Sequence, residues 1–129
     1  MLATQIHLLS ALTSVKNHSF CRSLEDNRVD GVILISADRH RSDVWKIERP
    51  NGYDLYEFES SRLTNVHKHG LMPGALFGYN EKCSFGLLSF DTGLSDPQVT
   101  YQIINIDNEV IHDFSLKRSQ LTHIAKKGQ

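Results

Sequence analysis

The sequence feature that most constrains the fold is a run of four apolar residues, Val32 to Ile35, between a glycine and a polar stretch that ends at Asp43. Three of the four residues are β-branched, which is typical of a strand buried on both faces. Such a strand needs hydrogen-bonded neighbouring strands and other residues packed over each face of the sheet. The run therefore predicts an α/β or α+β domain in which a sheet is flanked by other layers.

Two candidate metal ligands, Asp38 and His40, follow this strand. Groups that carry chemistry usually stand just past the carboxyl ends of strands. Side chains two residues apart on an extended chain point to the same side, roughly 6.5 to 7 Å apart. A carboxylate and an imidazole so placed can serve one metal ion or two neighbouring ions. The alternative is an ordinary turn, in which Asp38 forms the turn and His40 is a polar loop residue.

Size and charge exclude several classes of protein. With 129 residues, the chain suits one domain. Its 14 Lys and Arg against 15 Asp and Glu give a net charge of -1, so no general field attracts nucleic acid. The isolated Cys21 and Cys83 predict neither a disulfide framework nor a thiolate zinc site.

No targeting or membrane-spanning segment is predicted. The moderately apolar stretch from Ile6 to Val15 has no Lys or Arg before it and is interrupted by polar residues, unlike a secretory signal. No segment reaches the roughly 20 apolar residues of a transmembrane helix. The sequence leaves the compartment unassigned.

Two helices are predicted before the buried strand. Apolar residues recur at intervals of three or four between Leu2 and Val15, which indicates an amphipathic helix within an otherwise unassigned segment, residues 1–18. Ser19 is a candidate N-cap for a short second helix that carries Leu24 and ends at Asn27.

The remainder is predicted to be mostly antiparallel sheet, with one long loop and a solvated tail. Residues 62–79 show no sustained period and predict a loop. Residues 117–129 predict a tail. The predicted strands are Val44 to Glu48, Tyr53 to Glu59, Cys83 to Asp91, Val99 to Ile106 and Val110 to Leu116.

Three further histidines and two glutamates are candidates for a site. His67 and His69, facing one way, could join Asp38 and His40 in a mononuclear zinc or iron site. His112 sits in an apolar row and is interpreted as a half-buried structural histidine.

Glu57 and Glu59 share one side of their predicted strand. They could be a pair of acid/base carboxylates, but a solvent-facing side of the strand is the favoured interpretation. The sequence contains no GxSxG, HExxH, P-loop or GxGxxG motif. Their absence disfavours the commonest serine hydrolases, zincins and nucleotide-binding proteins.

Two motifs give the chain a resemblance to a known family. Residues 31–40 and then Tyr53 to Thr64 resemble the C-terminal part of the alkaline phosphatase D family, the PhoD-like metallophosphoesterases. That family has an apolar strand, Ser-Gly-Asp-x-His, and then Tyr-x-Leu-Tyr-Glu-x-x-Ser-Ser-x-Leu-Thr. The resemblance runs from about Ser19 to Leu116. One departure is Ala37, which stands where the family has Gly and adds a methyl group at the bend.

The resemblance implies a phosphoric mono- or diester hydrolase with a calcineurin-like αββα sandwich. Asp38 and His40 would be ligands in a binuclear centre of divalent or trivalent ions, with Fe, Ca, Zn and Mn as candidates. The family's other ligands lie in earlier motifs for which this chain has no room. The resemblance therefore predicts a C-terminal fragment, residues 19–116, that is inactive alone and whose partner is the missing N-terminal segment. Family members are often exported to the periplasm or cell surface.

The resemblance also predicts how the isolated part would look. Without the missing segment, we expect its sheet to form a single layer that leaves the row of Tyr56 and Phe58 uncovered. In an intact relative, His67 and His69 would lie near the metal pocket without being ligands.

The alternative from another class is a non-catalytic β-rich binding or structural domain, in which the spacing of Asp38 and His40 is incidental.

Overall fold

The computed structural model describes residues 18–67 and 69–123. The helix predicted between Leu2 and Val15 lies outside these residues. The described chain has the α+β class, with one α-helix, seven strands and a short 3-10 helix. In chain order they are α1 (His18–Asp26), β1 (Leu34–Ser36), β2 (Ser42–Ile47), β3 (Leu55–Ser60), β4 (Phe77–Tyr79), β5 (Ser84–Asp91), β6 (Gln98–Asn105), β7 (Val110–Lys117) and the 3-10 helix (Arg118–Leu121).

Four of the strands form a mixed sheet in the order β1-β3-β2-β4. The predicted hairpin is confirmed, because β2 and β3 are antiparallel, with Ser42 opposite Ser60 and Ile47 opposite Leu55. Strand β1 pairs with β3 in parallel. Strand β1 therefore lies at an edge of this sheet, and its carboxyl end is level with the start of β2 and the end of β3.

The other three strands form an antiparallel sheet in the order β5-β6-β7. The predicted hairpin of β6 and β7 is confirmed, with a register shift between Ile103 and Ile104. Asn108 has a positive φ of 62° in its turn, a conformation that Asn tolerates better than most residues.

The two sheets pack face to face, which corrects the prediction of a single layer. Phe58 of β3 stacks on Tyr101 of β6 with ring centroids 4.6 Å apart, and Tyr56 lies 5.5 Å from Phe114 of β7. Phe58 is only 1% exposed. The apolar row expected to be uncovered is covered, because the antiparallel sheet supplies the missing layer.

Helix α1 adds Leu24 to the same core, with Phe20 and Cys21 packed against it. It begins one residue before the predicted cap, so Ser19 lies inside the helix. The predicted end is confirmed, since the backbone N–H of Asn27 donates to the carbonyl of Ser23.

Three local predictions are wrong. Strand β1 starts at Leu34, and Val32 and Ile33 are buried but precede it. The loop predicted for residues 62–79 contains β4, whose Phe77 pairs with Val44. The expected tail is packed as far as residue 123, because Leu121 is buried in the core.

No helix in the described ranges is long and apolar enough to cross a membrane.

Candidate functional site

The turn from β1 to β2 carries both predicted ligands on an unusual backbone. Asp38 has a φ of 90° and His40 a φ of 51°. Positive φ is uncommon for residues other than glycine, although Asp and His adopt it more often than most. Two such residues within three positions mark the turn as a place where backbone strain is held by its surroundings, and strain of this kind clusters at functional sites.

This turn is hydrogen-bonded to Ser61, the residue that follows β3. The backbone N–H of His40 donates to Oγ of Ser61, at 2.8 Å. The N–H of Ser61 in turn donates to the carbonyl of Arg41, at 3.2 Å. Asp38 is exposed, whereas His40 is half-buried and its Nδ1 is enclosed without a hydrogen-bond partner.

His67 and His69 lie beside His40, although nothing in the sequence required the two segments to meet. The ring centroid of His40 is 5.9 Å from that of His67 and 5.5 Å from that of His69. His67 and His69 are 5.2 Å apart. These three imidazoles are called the three-histidine cluster. Both of the loop histidines are exposed.

The loop that carries these histidines is anchored by buried or half-buried polar groups. Nη1 of Arg41 donates to the carbonyl of Gly70 at 2.8 Å. Nδ2 of Asn80 donates to the carbonyl of His69 at 2.9 Å. Arg62 donates to the carbonyls of Asn65 and Asn80. The backbone around His69 is therefore fixed by contacts to β2 and to the end of β4.

Beneath the turn lies a buried charge cluster of Arg41, Asp43 and Glu59. These side chains are 2%, 1% and 2% exposed. Nε of Arg41 donates to Oδ2 of Asp43 at 2.5 Å. Asp43 and Glu59 are cross-strand partners, so their carboxyl groups share one face of the mixed sheet.

Burial raises the pKa of Glu59 to about 7, and the negative charge of Asp43 adds to the effect while Arg41 opposes it. A carboxyl group that ionises near neutrality is common at functional sites, although structural clusters also produce one. The prediction that this glutamate faces solvent is wrong. Its side chain lies beside that of Asp43, on the face of the mixed sheet opposite to the one that packs against the antiparallel sheet.

Unpaired polar atoms concentrate at this end of the mixed sheet. Among the described residues, nine buried side-chain nitrogen and oxygen atoms have no hydrogen-bond partner. Five of the nine lie at or below the turn. Buried polar groups are normally paired, so an ordered water, ion or further polar group is expected there. The five are Ser36 Oγ, His40 Nδ1, Arg41 Nη2, Asp43 Oδ1 and Glu59 Oε1.

The assembly is not a complete metal site as it stands. In the parts of the chain that the structure describes, no group of three or more His, Cys, Asp or Glu side chains is arranged to hold a metal ion. Asp38 and His40 therefore supply at most part of a coordination sphere. His112 lies elsewhere, half-buried against Phe77 at 4.0 Å, and burial lowers its pKa.

Comparison with known proteins identifies no relative. The chain matches no protein-family model, no curated protein and no solved structure.

Proposed function

We propose that residues 19–116 form the C-terminal part of a PhoD-like metallophosphoesterase domain that hydrolyses phosphate mono- or diesters. Asp38 and His40 are two ligands of its binuclear metal centre. The observation that supports this proposal best is the turn after β1, where both residues hold positive φ at the carboxyl end of a parallel-paired strand.

The donor set fits a metal of borderline character. His40 offers an enclosed imidazole nitrogen without a partner, and Asp38 offers an exposed carboxylate. When bound, the metal ions would supply Lewis-acid polarisation of the phosphate ester and activation of a water molecule, and Asp38 and His40 would hold them. The chain's own contribution is to fix the two ligands, since Ser61 holds the backbone of His40. The remaining ligands come from outside the described residues.

The arrangement of layers is consistent with a calcineurin-like αββα sandwich. Two sheets pack face to face, and α1 adds to their core. Strand β1 is apolar and parallel to its neighbour yet lies at an edge of the sheet. Parallel strands are usually interior and covered. A further strand beside β1 would complete the sheet next to the Asp38 turn, where the missing ligands are needed.

The rival proposal is a non-catalytic β-rich binding domain. It is favoured by the incomplete ligand set in the described residues. On this alternative, the strain at Asp38 has no chemical role.

Reconstitution separates the two proposals. The full chain is mixed with the N-terminal part of a PhoD-like protein, and turnover of p-nitrophenyl phosphate and bis-p-nitrophenyl phosphate is measured with added metal. We expect turnover by the mixture and none by the chain alone. Asp38→Ala or His40→Ala should each abolish turnover, because each removes a metal ligand.

The control is Lys82→Ala, a change at an exposed residue that pairs with Asp107, which should leave turnover unaltered. Activity of the mixture that survives both ligand substitutions would disprove the ligand assignment. No activity in any mixture, with the two parts shown to associate, would favour the binding domain.

A further inference from the structure

We propose that the three-histidine cluster is a binding site for one divalent transition-metal ion, such as Zn²⁺ or Co²⁺. The site uses His40 from the turn after β1 and two histidines from the loop after β3. It needs no residue beyond these two segments.

The spacing of the rings supports this assignment. With Zn–N bonds of 2.0 to 2.1 Å, two imidazoles on one tetrahedral zinc ion have ring centroids about 5 Å apart. The three observed separations are 5.2, 5.5 and 5.9 Å. The ring centroids of all three histidine pairs are thus close to the separation that a shared zinc ion requires. Three histidines and one open position are also the ligand set of a well-known type of zinc centre.

The nitrogens need only local rotation to converge. In the described residues, no three donors are yet arranged around one point. However, His67 and His69 are exposed, so their side chains can turn without displacing the core. The third ring, His40, is held by its backbone bond to Ser61 and keeps an unpaired Nδ1.

The surrounding contacts place the loop before any metal binds. The bonds from Arg41 to Gly70 and from Asn80 to the carbonyl of His69 fix the backbone on the carboxyl side of the histidine pair. A site whose backbone is already in place loses less conformational entropy on binding than one on a free loop.

Imidazole ligands determine the class of ion. Nitrogen donors of this type suit Zn²⁺, Cu²⁺, Ni²⁺ and Fe²⁺, whereas Mg²⁺ and Ca²⁺ prefer oxygen. The inference goes beyond the proposed phosphoesterase: in the chain alone, His40 binds the ion of this cluster, whereas in the reconstituted protein the same imidazole belongs to the binuclear centre. The metal titration uses the chain alone, so a negative result there would not decide the reconstitution experiment. A failed reconstitution would likewise not decide whether the chain alone binds a metal ion.

The test is titration of the metal-free full chain with Co²⁺, followed by visible absorption and then displacement by Zn²⁺. We expect one bound ion per chain, with the spectrum of a low-coordinate nitrogen site. His67→Gln and His69→Gln should each weaken binding at least about tenfold, because each removes a ligand. Both positions are exposed, so the melting temperature of the metal-free variants should not change.

Two controls exclude other ligands. Asp107→Asn, at an exposed carboxylate in the turn between β6 and β7, should bind Co²⁺ within about threefold of the unaltered chain. The pair His7→Gln and His18→Gln tests the remaining imidazoles near the start of the chain. Unaltered binding by both loop variants would overturn the proposal. Equal weakening in either control, or competition by Ca²⁺ as effective as that by Zn²⁺, would also overturn it.

Discussion

At the scale of single residues, Asp38 combines a strained backbone with the proposed role of a metal ligand. Its φ of 90° would suit glycine better than aspartate. The family pattern that the chain resembles has its glycine one position earlier, where this chain has Ala37. A residue with a side chain in this conformation lowers the stability of the fold. The proposed role of Asp38 and His40 as metal ligands at the end of β1 would explain why the strain is kept.

Replacing the strained aspartate tests this reasoning. Asp38→Gly should have a free energy of unfolding about 1 kcal/mol above that of Asp38→Ala, because glycine adopts positive φ without the steric penalty of a Cβ atom. Denaturant unfolding of the two variants measures the difference. Both variants lack the carboxylate, so the comparison isolates the backbone. Equal stability would show that the turn is not strained at this residue.

The buried Glu59 predicts a pH dependence of stability. Its pKa in the folded chain is about 7, above the ordinary value of 4.5, so the folded state holds the proton more tightly than the unfolded state. The resulting stabilisation is complete below about pH 4.5 and is lost as the pH rises to about 7.

Glu59→Gln should remove this dependence, because glutamine imitates the protonated acid and cannot ionise. Relative to the original chain, the variant should gain up to about 3 kcal/mol between pH 4.5 and pH 8. Urea unfolding at a series of pH values measures the gain. Glu57→Gln, on the same face but half-exposed, is the matched control and should show little of it. If the free energy of unfolding changed with pH in the same way for the original chain and for Glu59→Gln, this would contradict the assignment of the pH dependence to Glu59.

At the scale of elements, the packing of the two sheets depends on Tyr101, whose ring lies across Gly86 of the neighbouring strand in its own sheet. A Cβ atom added at Gly86 of β5 would lie 2.4 Å from the ring of Tyr101. The same tyrosine donates from its hydroxyl group to the carbonyl of Glu59 at 3.0 Å. Tyr101 therefore fills the space left by the glycine and ties the antiparallel sheet to the end of β3.

Gly86→Ala should consequently destabilise the fold by about 1 to 3 kcal/mol, through crowding of a packed ring. Thermal unfolding measures the change. Gly70→Ala is the control, since a Cβ atom there would meet nothing within 4 Å. If both variants melt alike, then the ring of Tyr101 is not closely packed over Gly86.

Elements with a strong local pattern were predictable from the sequence. The hairpin of β2 and β3 has a Pro-Asn-Gly turn, and that of β6 and β7 has alternating residues on both sides of Asp107 and Asn108. Strand β4 could not be found, because three residues, Phe77 to Tyr79, are too few to show a period and are set by pairing with β2. Alternation within a strand also does not reveal which face another sheet will cover.

The sequence predicted one part of the candidate site, the part that directly follows a strand with a clear local pattern. Asp38 and His40 follow an obvious strand, so their place at its end could be read from the sequence. The approach of His67 and His69 depends on loop contacts made by Arg41 and Asn80, which leave no local signal. The burial of Glu59 was missed because a charged residue in alternation normally indicates the solvent face. Its cross-strand partner Asp43, two residues from an arginine, was the only available clue.

At the scale of the whole molecule, the last described segment closes the fold onto the start of β1. The N–H of Gly31 donates to the carbonyl of Leu121 at 2.7 Å. The N–H of His123 donates to the carboxylate of Asp30 at 2.8 Å. The 3-10 helix is further tied to the turn before β6, where Ser119 donates to Asp96. These contacts join the last described segment to the chain just before β1 and to the turn before β6.

Leu121→Ala should cost about 2 to 5 kcal/mol, because Leu121 is 4% exposed and its removal leaves a cavity in the core. Leu94→Ala, at a side chain that is 48% exposed, should change the free energy of unfolding by less than about 0.5 kcal/mol. Denaturant unfolding of both variants measures the contrast. Similar values for the two would show that the segment after β7 contributes no packing.

The bond between Asp30 and His123 spans 93 positions of the chain. During synthesis, β1 and the turn after it are made before the residues that complete their surroundings, which include His123. Contacts between distant positions are slow to form, since the intervening loop must first be closed. The apolar run from Val32 to Ile35 is therefore exposed on the nascent chain until residues up to 123 have left the ribosome, and it is the segment on which a chaperone would be expected to act.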